Sequence, residues 1–516
     1  MNPTITIAAG ALRGSVDGGV ASFKGIPYAQ PPCGPLRWRA PQPVIPWEGT
    51  RDATEFGPDC TQAPGDFETL RTTPSEDCLY LNVWKPQDAT EHDALPVMVW
   101  IHGGGYVGGG TSSPVYDGSS FAADGIVVVT LNYRLGRFGF FAHPALTAAK
   151  EGPVGNFGYM DQIQALEWVR DNVAAFGGDP RRVTLVGQSA GGESALHLMT
   201  SPVVGDLFHR VIAMSGGGRR ALLDRPMTDG SVGNASAAGM DKRFAVKRGV
   251  FGDGTDDLAK LRELAPATVA GRDNVGILGA KKLLGGSVAG VPIVDGDLVV
   301  GEPYEHFLSG AAKQIPIMIG STAFDLPLHF PPSKIRPLKW FDDQQQAKAA
   351  YHDSAGRSPL DHVKTLVAVS TDMTMHEPAH FVASTMKKQG QPAWLYRFTY
   401  TAQCRRPDSL EQGHSGELPF LFQTLESTYP DQIADEDRAT AAAFHAYVVN
   451  FVTHGDPNGT GLPAWPQIVP DEYDLMNFTL DDGPVFGPEP RAGVELVARA
   501  QERDLANAAD GRRREG

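Results

Sequence analysis

The sequence predicts an α/β fold with a mostly parallel central sheet and helices on both faces. Short apolar runs of four to six residues recur along the 516-residue chain, and helical patterns separate several of them. The apolar residues in these runs are continuous instead of alternating, which is typical of strands that are buried on both faces. Because strands alternate with helices, we expect parallel pairing with the helices as crossovers.

Six runs are the predicted strands, in chain order Val97–Ile101, Ile126–Leu131, Val183–Val186, Val211–Met214, Ile315–Ile319 and Trp394–Phe398. Asp161–Phe176 and Glu193–Met199 carry apolar residues at helical spacing and are predicted helices. No Pro/Ser-rich linker and no internal repeat interrupts this order. We therefore predict one domain over residues 1–516, which ends in a polar tail over residues 501–516.

The charge balance restricts the partners of the chain. With 45 basic and 60 acidic side chains, the net charge is -15, which repels nucleic acid and anionic membranes. No run approaches the roughly 20 apolar residues of a membrane-spanning helix, and Met1–Gly10 lacks the basic and apolar regions of a secretory signal. The sequence predicts a cytoplasmic protein, a monomer or weak homo-oligomer, that acts on a small molecule.

Ser189 lies in a Gly-x-Ser-x-Gly pattern that begins at Gly187 and ends at Gly191. The pattern alone is a weak signal, but here a predicted strand precedes it and a predicted helix follows. Glycines two residues before and after a serine let the chain turn sharply from strand to helix, with the serine hydroxyl above the sheet. Ser189 is therefore the candidate nucleophile.

A second glycine-rich segment follows the predicted strand Val97–Ile101. The backbone N–H groups of Gly104, Gly105 and Ala190 would together form a pocket for the oxyanion of an acyl transfer. The same glycines also fit the G-x-G-x-x-G pattern of dinucleotide sites. That alternative needs a helix that opens at the glycines, and residues 109–114 are unsuited to start one.

A third pattern belongs to a different chemistry. His376, Glu377 and His380 spell H-E-x-x-H, which in zinc peptidases places two ligands on one face of a helix. Pro378 lies inside the required helical turn and removes a backbone hydrogen bond. The sequence therefore favours acyl transfer over zinc chemistry, and we expect neither a metal nor a cofactor.

Several longer segments resemble the type-B carboxylesterase family, which is cholinesterase-like, and most of all its bacterial para-nitrobenzyl esterase branch. The resemblance rests on segments spread in order over most of the chain, namely Phe23–Ala29, Ser75–Trp84, His102–Tyr106, Asn132–Gly136, Gly155–Asp161 and Phe176–Pro180. It implies the α/β-hydrolase fold, with helical and loop insertions around an active-site gorge. It also implies a serine carboxylesterase whose catalytic residues follow the order serine, acid, histidine.

The resemblance implies the other two members of a catalytic triad. The family places an acidic residue shortly after a strand that ends in glycine, and Asp325 fits this position. Asp295 and Asp297 are the alternatives, although their segment matches a turn of the family. His414 fits the family pattern of a histidine that is followed three residues later by an acidic residue and then by an apolar run.

These assignments imply a two-step reaction through an acyl-enzyme, in which His414 takes the Ser189 proton and Asp325 orients the ring. Cholinesterases carry an acidic residue just before the nucleophile, whereas this chain has Gln188. We therefore expect broad, non-choline ester substrates. A catalytically silent adhesion protein of the same fold is the alternative, but such relatives typically lose the nucleophile, and this chain keeps it.

Two points stay open from the sequence. Arg219 and Arg220 follow a segment that the family places near the acyl pocket, so they either attract an acidic acyl group or form a solvated pair. Cys60 and Cys78 fall where the family often has a disulfide, and a reducing compartment would leave them as thiols.

Overall fold

The computed structural model of the chain describes residues 2–64, 70–228, 236–272, 281, 288–351, 359–407 and 412–515, with backbone alone over 508–515. Its strands, numbered along the chain, are β1 Thr4–Ile7, β2 Gly10–Arg13, β3 Ser15–Asp17, β4 Val20–Pro27, β5 Thr50–Asp52, β6 Tyr80–Pro86, β7 Leu95–Ile101, β8 Val127–Leu131, β9 Phe140–Phe141, β10 Gly155–Asn156, β11 Gly178–Gln188, β12 Arg210–Met214, β13 Arg225–Pro226, β14 Ile293–Val294, β15 Ile317–Thr322, β16 Ala393–Phe398, β17 Asp474–Phe478 and β18 Pro484–Pro488.

Eleven strands form one mixed sheet in the order β18-β17-β16-β15-β12-β11-β7-β8-β6-β4-β3. The block from β17 to β8 is parallel throughout, and it contains all six strands that the apolar runs predict. Antiparallel pairs complete both edges, with β18 on one side and β6, β4 and β3 on the other. The predicted α/β class with a mostly parallel sheet is confirmed.

The strands of the parallel block are buried on both faces. Along β11, Val183 and Leu185 belong to one hydrophobic cluster, whereas Val186 belongs to another on the opposite side of the sheet. Successive side chains of a strand point to opposite faces, so a strand between two cores needs apolar residues at every position. This requirement explains why the central strands appear in the sequence as continuous apolar runs.

The helices, numbered along the chain, are α1 Ser119–Ala123, α2 Gly136–Gly139, α3 Pro144–Ala149, α4 Phe157–Asn172, α5 Ala190–Thr200, α6 Ala237–Val246, α7 Thr255–Arg262, α8 Pro266–Ala270, α9 Pro303–Ser309, α10 Gln344–Ala350, α11 Pro359–Thr371, α12 Glu377–Lys388, α13 Leu418–Leu421, α14 Leu425–Thr428, α15 Asp435–His454 and α16 Gly493–Glu515. The two helices predicted from periodicity correspond to α4, which continues as a 3-10 turn over Val173–Phe176, and to α5.

The helices cover both faces of the sheet. Apolar side chains of α4, α5 and α12 lie in one core cluster, and those of α1 and α15 lie in the other. In the part of the chain that the structure describes, no helix combines the length and the apolar character needed to span a bilayer.

The carboxyl ends of β7, β11, β12, β15 and β16 lie at one edge of the sheet, because these strands are parallel. The loops that follow them are therefore close together.

Candidate active site

Ser189 occupies the turn between β11 and α5. Its backbone has φ 57° and ψ -125°, a combination that is rare for a residue with a side chain. The turn is held at both ends, because the Ser189 N–H donates to Met214 O at 2.8 Å and the Ser189 carbonyl accepts from Glu193 N at 2.8 Å. The predicted strand-to-helix turn around this serine is confirmed.

The two glycines of the serine pattern are required by close backbone contacts. A Cβ at Gly187 would overlap the carbonyl oxygen of Gly191, and a Cβ at Gly191 would overlap the carbonyl oxygen of Ile101 at the end of β7. The start of α5 therefore packs directly against the backbone of the neighbouring strand. This contact fixes the height and direction of the turn that carries Ser189.

The glycine-rich segment after β7 lies beside the serine. A Cβ at Gly103 would come within 3.0 Å of Ser189 Cβ, while Gly104 and Gly105 have positive φ angles of 99° and 60°. Within the described residues, the N–H groups of Gly104 and Gly105 donate no backbone hydrogen bond. No helix opens at these glycines, since the next helical segment is the 3-10 turn Pro114–Tyr116, so the dinucleotide alternative is wrong.

Asp325 follows β15 and is buried. Its Oδ1 accepts from His414 Nδ1 and from Leu326 N at 2.9 Å. Its Oδ2 accepts from Ser215 Oγ at 2.6 Å and from Thr322 N at 3.2 Å. Burial alone would raise the pKa of this carboxyl, but His414 and the other donors together hold the pKa well below its usual range. Asp325 is therefore ionised and fixed in orientation.

His414 is joined to Asp325 through Nδ1, so in the neutral ring Nε2 is left as the acceptor. Nε2 lies 3.4 Å from Nε2 of Gln188, the residue before Ser189. Among the hydrogen bonds of the described residues, none joins the ring to Ser189 Oγ. Burial favours the neutral ring, but attraction to Asp325 and the hydrogen bond to it outweigh this effect and raise the pKa of His414 above 6.5.

Glu417 lies one turn after His414 and has no accessible surface. Neither carboxylate oxygen has a hydrogen-bond partner among the described residues. Burial, together with repulsion from Asp325, raises the pKa of Glu417 to about 8. The Glu417 side chain is therefore mainly protonated at neutral pH and carries little negative charge.

Asp295 and Asp297, the alternatives to Asp325, lie in a turn. Asp295 Oδ1 accepts from the N–H groups of Asp297, Leu298 and Val299 at 2.9–3.0 Å, and its Oδ2 accepts from Asn156 at 2.8 Å. These bonds close the loop after β14, and none of them reaches His414. Asp295 is a turn-forming residue, as the resemblance implies, and Asp325 is the acid that contacts the histidine.

The side chains of the H-E-x-x-H pattern are committed to other contacts. His376 Nδ1 bonds to Asp372 at 2.7 Å and its Nε2 contacts Thr322 O at 2.9 Å. Glu377 forms a buried ion pair with Arg219, and Gln501 donates to the same carboxylate at 2.8 Å. The three residues do not converge on a common point, so the zinc alternative is wrong. Pro378 is the second residue of α12, and a π-helical turn over Asp372–His376 precedes it.

The structure describes both pairs of residues that the sequence left open, and Arg220, unlike Arg219, is exposed. The Arg219 guanidinium is buried against Glu377 and lies 4.0 Å from the centre of the Phe381 ring, so it is neither solvated nor available to an acyl group. Cys60 and Cys78 are both buried and both unbonded. Burial, with a contribution from the adjacent Cys78 thiol, raises the pKa of Cys60.

The contacts of two side chains in this site were not predicted from the sequence. Ser215 donates to Asp325 from the end of β12, and Gln188 contacts the histidine ring. Ser215 has a positive φ of 49° and follows the strand next to the one that leads to Asp325. A polar residue directly after a predicted parallel strand was the available signal, since such residues gather at the same edge of the sheet.

The chain is similar to known ester hydrolases in sequence and in fold. The profile of the family described as "Carboxylesterase family" matches residues 1–335 and 342–487. A para-nitrobenzyl esterase of Bacillus subtilis is 35% identical over 90% of this chain and 92% of its own. A fumonisin B1 esterase of Sphingopyxis macrogoltabida is 33% identical over 89% of this chain and 83% of its own. The crystal structure of a Geobacillus stearothermophilus carboxylesterase superposes with a TM-score of 0.77 at 32% identity, covering 96% of this chain and 99% of the other.

The backbone contact at Gly191 leads to a prediction about stability. Gly191→Ala should lower the free energy of unfolding by about 3 kcal/mol, because the added methyl group overlaps a carbonyl that cannot retreat from the sheet. Gly487→Ala is the matched control, since a Cβ there meets no atom within 4 Å. Denaturant unfolding followed by circular dichroism measures both variants. A Gly191→Ala protein within about 1 kcal/mol of the wild type would contradict this interpretation.

The buried Glu417 leads to a prediction about pH. Its pKa is higher in the folded chain, at about 8, than the ordinary value of 4.5, so the folded state binds more protons between these values. The free energy of unfolding should therefore fall as the pH rises through this window, by at most about 1.4 kcal/mol per unit from this group.

Glu417→Gln removes this titrating group, so the free energy of unfolding of the variant should fall less with rising pH than that of the wild type. Urea unfolding at pH 5, 6.5 and 8 provides the measurement. Glu426→Gln is the control, because Glu426 is exposed and its ion pair with Arg438 lowers its pKa out of the window. An unchanged pH slope in Glu417→Gln would show that the carboxyl is already ionised across this range.

Proposed function

The chain belongs to the carboxylesterase family and is a carboxylic ester hydrolase, and we propose that it acts through a Ser189, His414 and Asp325 triad with an acyl-enzyme intermediate. The observation that carries this proposal is the bond between His414 Nδ1 and Asp325 Oδ1 beside the strained turn at Ser189. A carboxylate on Nδ1 leaves Nε2 free to accept a proton, which is what a general base next to a serine requires.

In the first step, Ser189 Oγ attacks the ester carbonyl carbon while His414 Nε2 takes the hydroxyl proton. The resulting imidazolium is stabilised by Asp325 and returns its proton to the alcohol as the ester C–O bond breaks. In the second step, water loses a proton to His414 and attacks the acyl-enzyme, which releases the acid. Formation of the Ser189–His414 hydrogen bond requires the Gln188 amide to yield the ring nitrogen, and such bonds are often loose before substrate binds.

The developing oxyanion needs hydrogen-bond donors that are already in position. We propose the N–H groups of Gly104, Gly105 and Ala190 for this role. Gly104 and Gly105 have positive φ angles and lie next to Gly103, which packs against Ser189. Ala190 is the first residue of α5, where helix N–H groups have no intrahelical acceptor. A single donor of this kind typically contributes about 10²- to 10³-fold to the rate.

The substrates are proposed to be general carboxylic esters that lack a quaternary ammonium group. The residue before the nucleophile is Gln188, a neutral amide, and the nearby Glu417 is mainly protonated at neutral pH. Apart from Asp325, whose carboxylate is bonded to His414, these residues therefore offer a cation little negative charge. The names of the relatives, a para-nitrobenzyl esterase and a fumonisin B1 esterase, support ester hydrolysis on different acids and alcohols.

We also propose that the chain forms a single hydrolase domain, because one sheet takes strands from residue 15 to residue 488. Residues 501–504 of the predicted polar tail are helical, and Gln501 and Asp504 bond to Glu377 and Trp340. The cytoplasmic location and the monomeric or weakly oligomeric state stay predictions from the sequence.

The proposed nucleophile is tested by labelling and substitution. A fluorophosphonate should add one phosphonyl group to the wild type, on the peptide that contains Ser189, and none to Ser189→Ala. Hydrolysis of p-nitrophenyl acetate should fall by up to about 10⁶ in Ser189→Ala and in His414→Ala, with unchanged circular dichroism. If Ser189→Ala kept more than a tenth of the wild-type rate, another nucleophile would be responsible.

The proposed base predicts the pH profile of the reaction. His414 must be neutral to accept a proton, so kcat/KM should decline as the pH falls through its pKa, which lies above 6.5. Asp325→Asn removes the main attraction that raises this pKa. The acid limb of the profile should therefore move to lower pH, while the plateau falls by about 10⁴. An acid limb that stays in place in Asp325→Asn would mean that another group controls it.

A further inference from the structure

A second concave site lies away from the residues of the proposed triad. It is a cavity of about 570 Å³ between α2, α6 and the segment around α8. Five of its ten lining residues are cationic and none is acidic: Arg137, Arg243, Lys247, Arg248 and Arg272. In a chain with a net charge of -15, such a concentration of positive charge in one cavity favours a negatively charged ligand.

Two of these arginines are held close together. The guanidinium carbons of Arg248 and Arg137 lie 3.7 Å and 4.7 Å from the centre of the same ring, that of Phe244. Backbone carbonyls of Phe244 and Thr268 accept from Arg248 at 3.0 Å and 3.4 Å. Cation–π contacts and these bonds hold two like charges side by side, although neither contact neutralises a charge.

Some N–H donors of Arg137 and Arg248 have no hydrogen-bond partner among the described residues. The Nε atoms of Arg137 and Arg248 are buried and lack a hydrogen-bond acceptor among the described residues. Burial, together with repulsion from Arg137, lowers the pKa of Arg248. These Nε–H groups have no accessible surface, so a ligand in the cavity would contact the outer guanidinium nitrogens of the two arginines instead.

One carboxyl group that acts on this set is that of Asp241, which interacts electrostatically with Arg137 and Arg243. It is buried, its Oδ2 accepts from Ala142 N at 2.8 Å, and burial raises its pKa to about 7. Arg243 also has a partner of its own, so the cations that count toward a ligand are Arg137, Lys247, Arg248 and Arg272. Lys247 and Arg272 form no ion pair within the described residues.

We propose that this cavity is a binding site for a small phosphorylated ligand, whose phosphate group lies between the arginines at Phe244 and the side chains of Lys247 and Arg272. A phosphate group carries up to two charges and several acceptor oxygens in a compact volume, and the forked arginine donors match this geometry. A monocarboxylate would leave most of the cations unmatched. The cavity volume is within the range of ordinary small-molecule sites.

Isothermal titration calorimetry of the full chain with inorganic pyrophosphate tests the site. The wild type should bind pyrophosphate saturably, with one molecule per chain. The double variant Lys247→Gln/Arg272→Gln removes two exposed cations of the cavity and should weaken binding by about tenfold or more. The control Lys242→Gln/Lys260→Gln removes the same charge from α6 and α7 outside the cavity and should change the affinity by less than about twofold.

Three results would overturn the proposal. The first is the absence of saturable binding to the wild type at about 10 mM pyrophosphate, which is weaker than a specific site would bind. The second is equal weakening in the two double variants, which would indicate diffuse attraction to the surface. The third is tighter binding of succinate than of pyrophosphate, which would indicate a dicarboxylate site. Matching thermal midpoints of the three proteins ensure that the comparison is made on folded chains.

Discussion

The arrangement of the site depends on one backbone contact, the approach of Gly191 to the carbonyl of Ile101. The first turn of α5 can lie this close to the end of β7 only because position 191 has no side chain. The contact brings the serine turn and the glycine-rich segment together, since one continues β11 and the other continues β7. A parallel pair of strands thus supplies the proposed nucleophile and the proposed oxyanion donors from adjacent chain ends.

A second set of contacts orients the acid and the histidine. Four groups surround the Asp325 carboxylate: two backbone N–H groups, the Ser215 hydroxyl and the His414 ring. Ser215 comes from β12 and Asp325 from the loop after β15, so the neighbouring strand fixes the acid in place. Hydrogen bonds from several elements make the position of the carboxylate insensitive to the motion of any one loop.

The sequence was most informative where the physical requirement is local. Continuous apolar runs identify the central strands because those strands are buried on both faces, and the glycines around Ser189 are needed by its own turn. The antiparallel strands β4 and β6 were not predicted, since Lys24, Gly25, Asn82 and Lys85 interrupt their apolar residues. Their identity depends on pairing with β8 and with each other, which no local pattern contains.

The same distinction applies to the site. Asp325 and His414 came from the resemblance to a family, because their meeting across 89 residues has no local signature. The role of Arg219 could not be read from its neighbours, since its partner Glu377 lies 158 residues away. The Gln188 contact and the unpaired state of Glu417 likewise appear only once the chain is folded.

The Gln188 amide and the proton on Glu417 also determine the net charge around the proposed catalytic residues. Near neutral pH, the Gln188 amide is uncharged and the Glu417 carboxyl is mainly protonated. Of the three side chains, only Asp325 carries a full negative charge. In the proposed reaction His414 becomes positive, and its charge and that of Asp325 then cancel within one hydrogen-bonded pair. An ester that carries its own carboxylate would therefore meet less repulsion from this pair after the proton has moved to His414 than in the resting site, where Asp325 is negative and the ring is neutral.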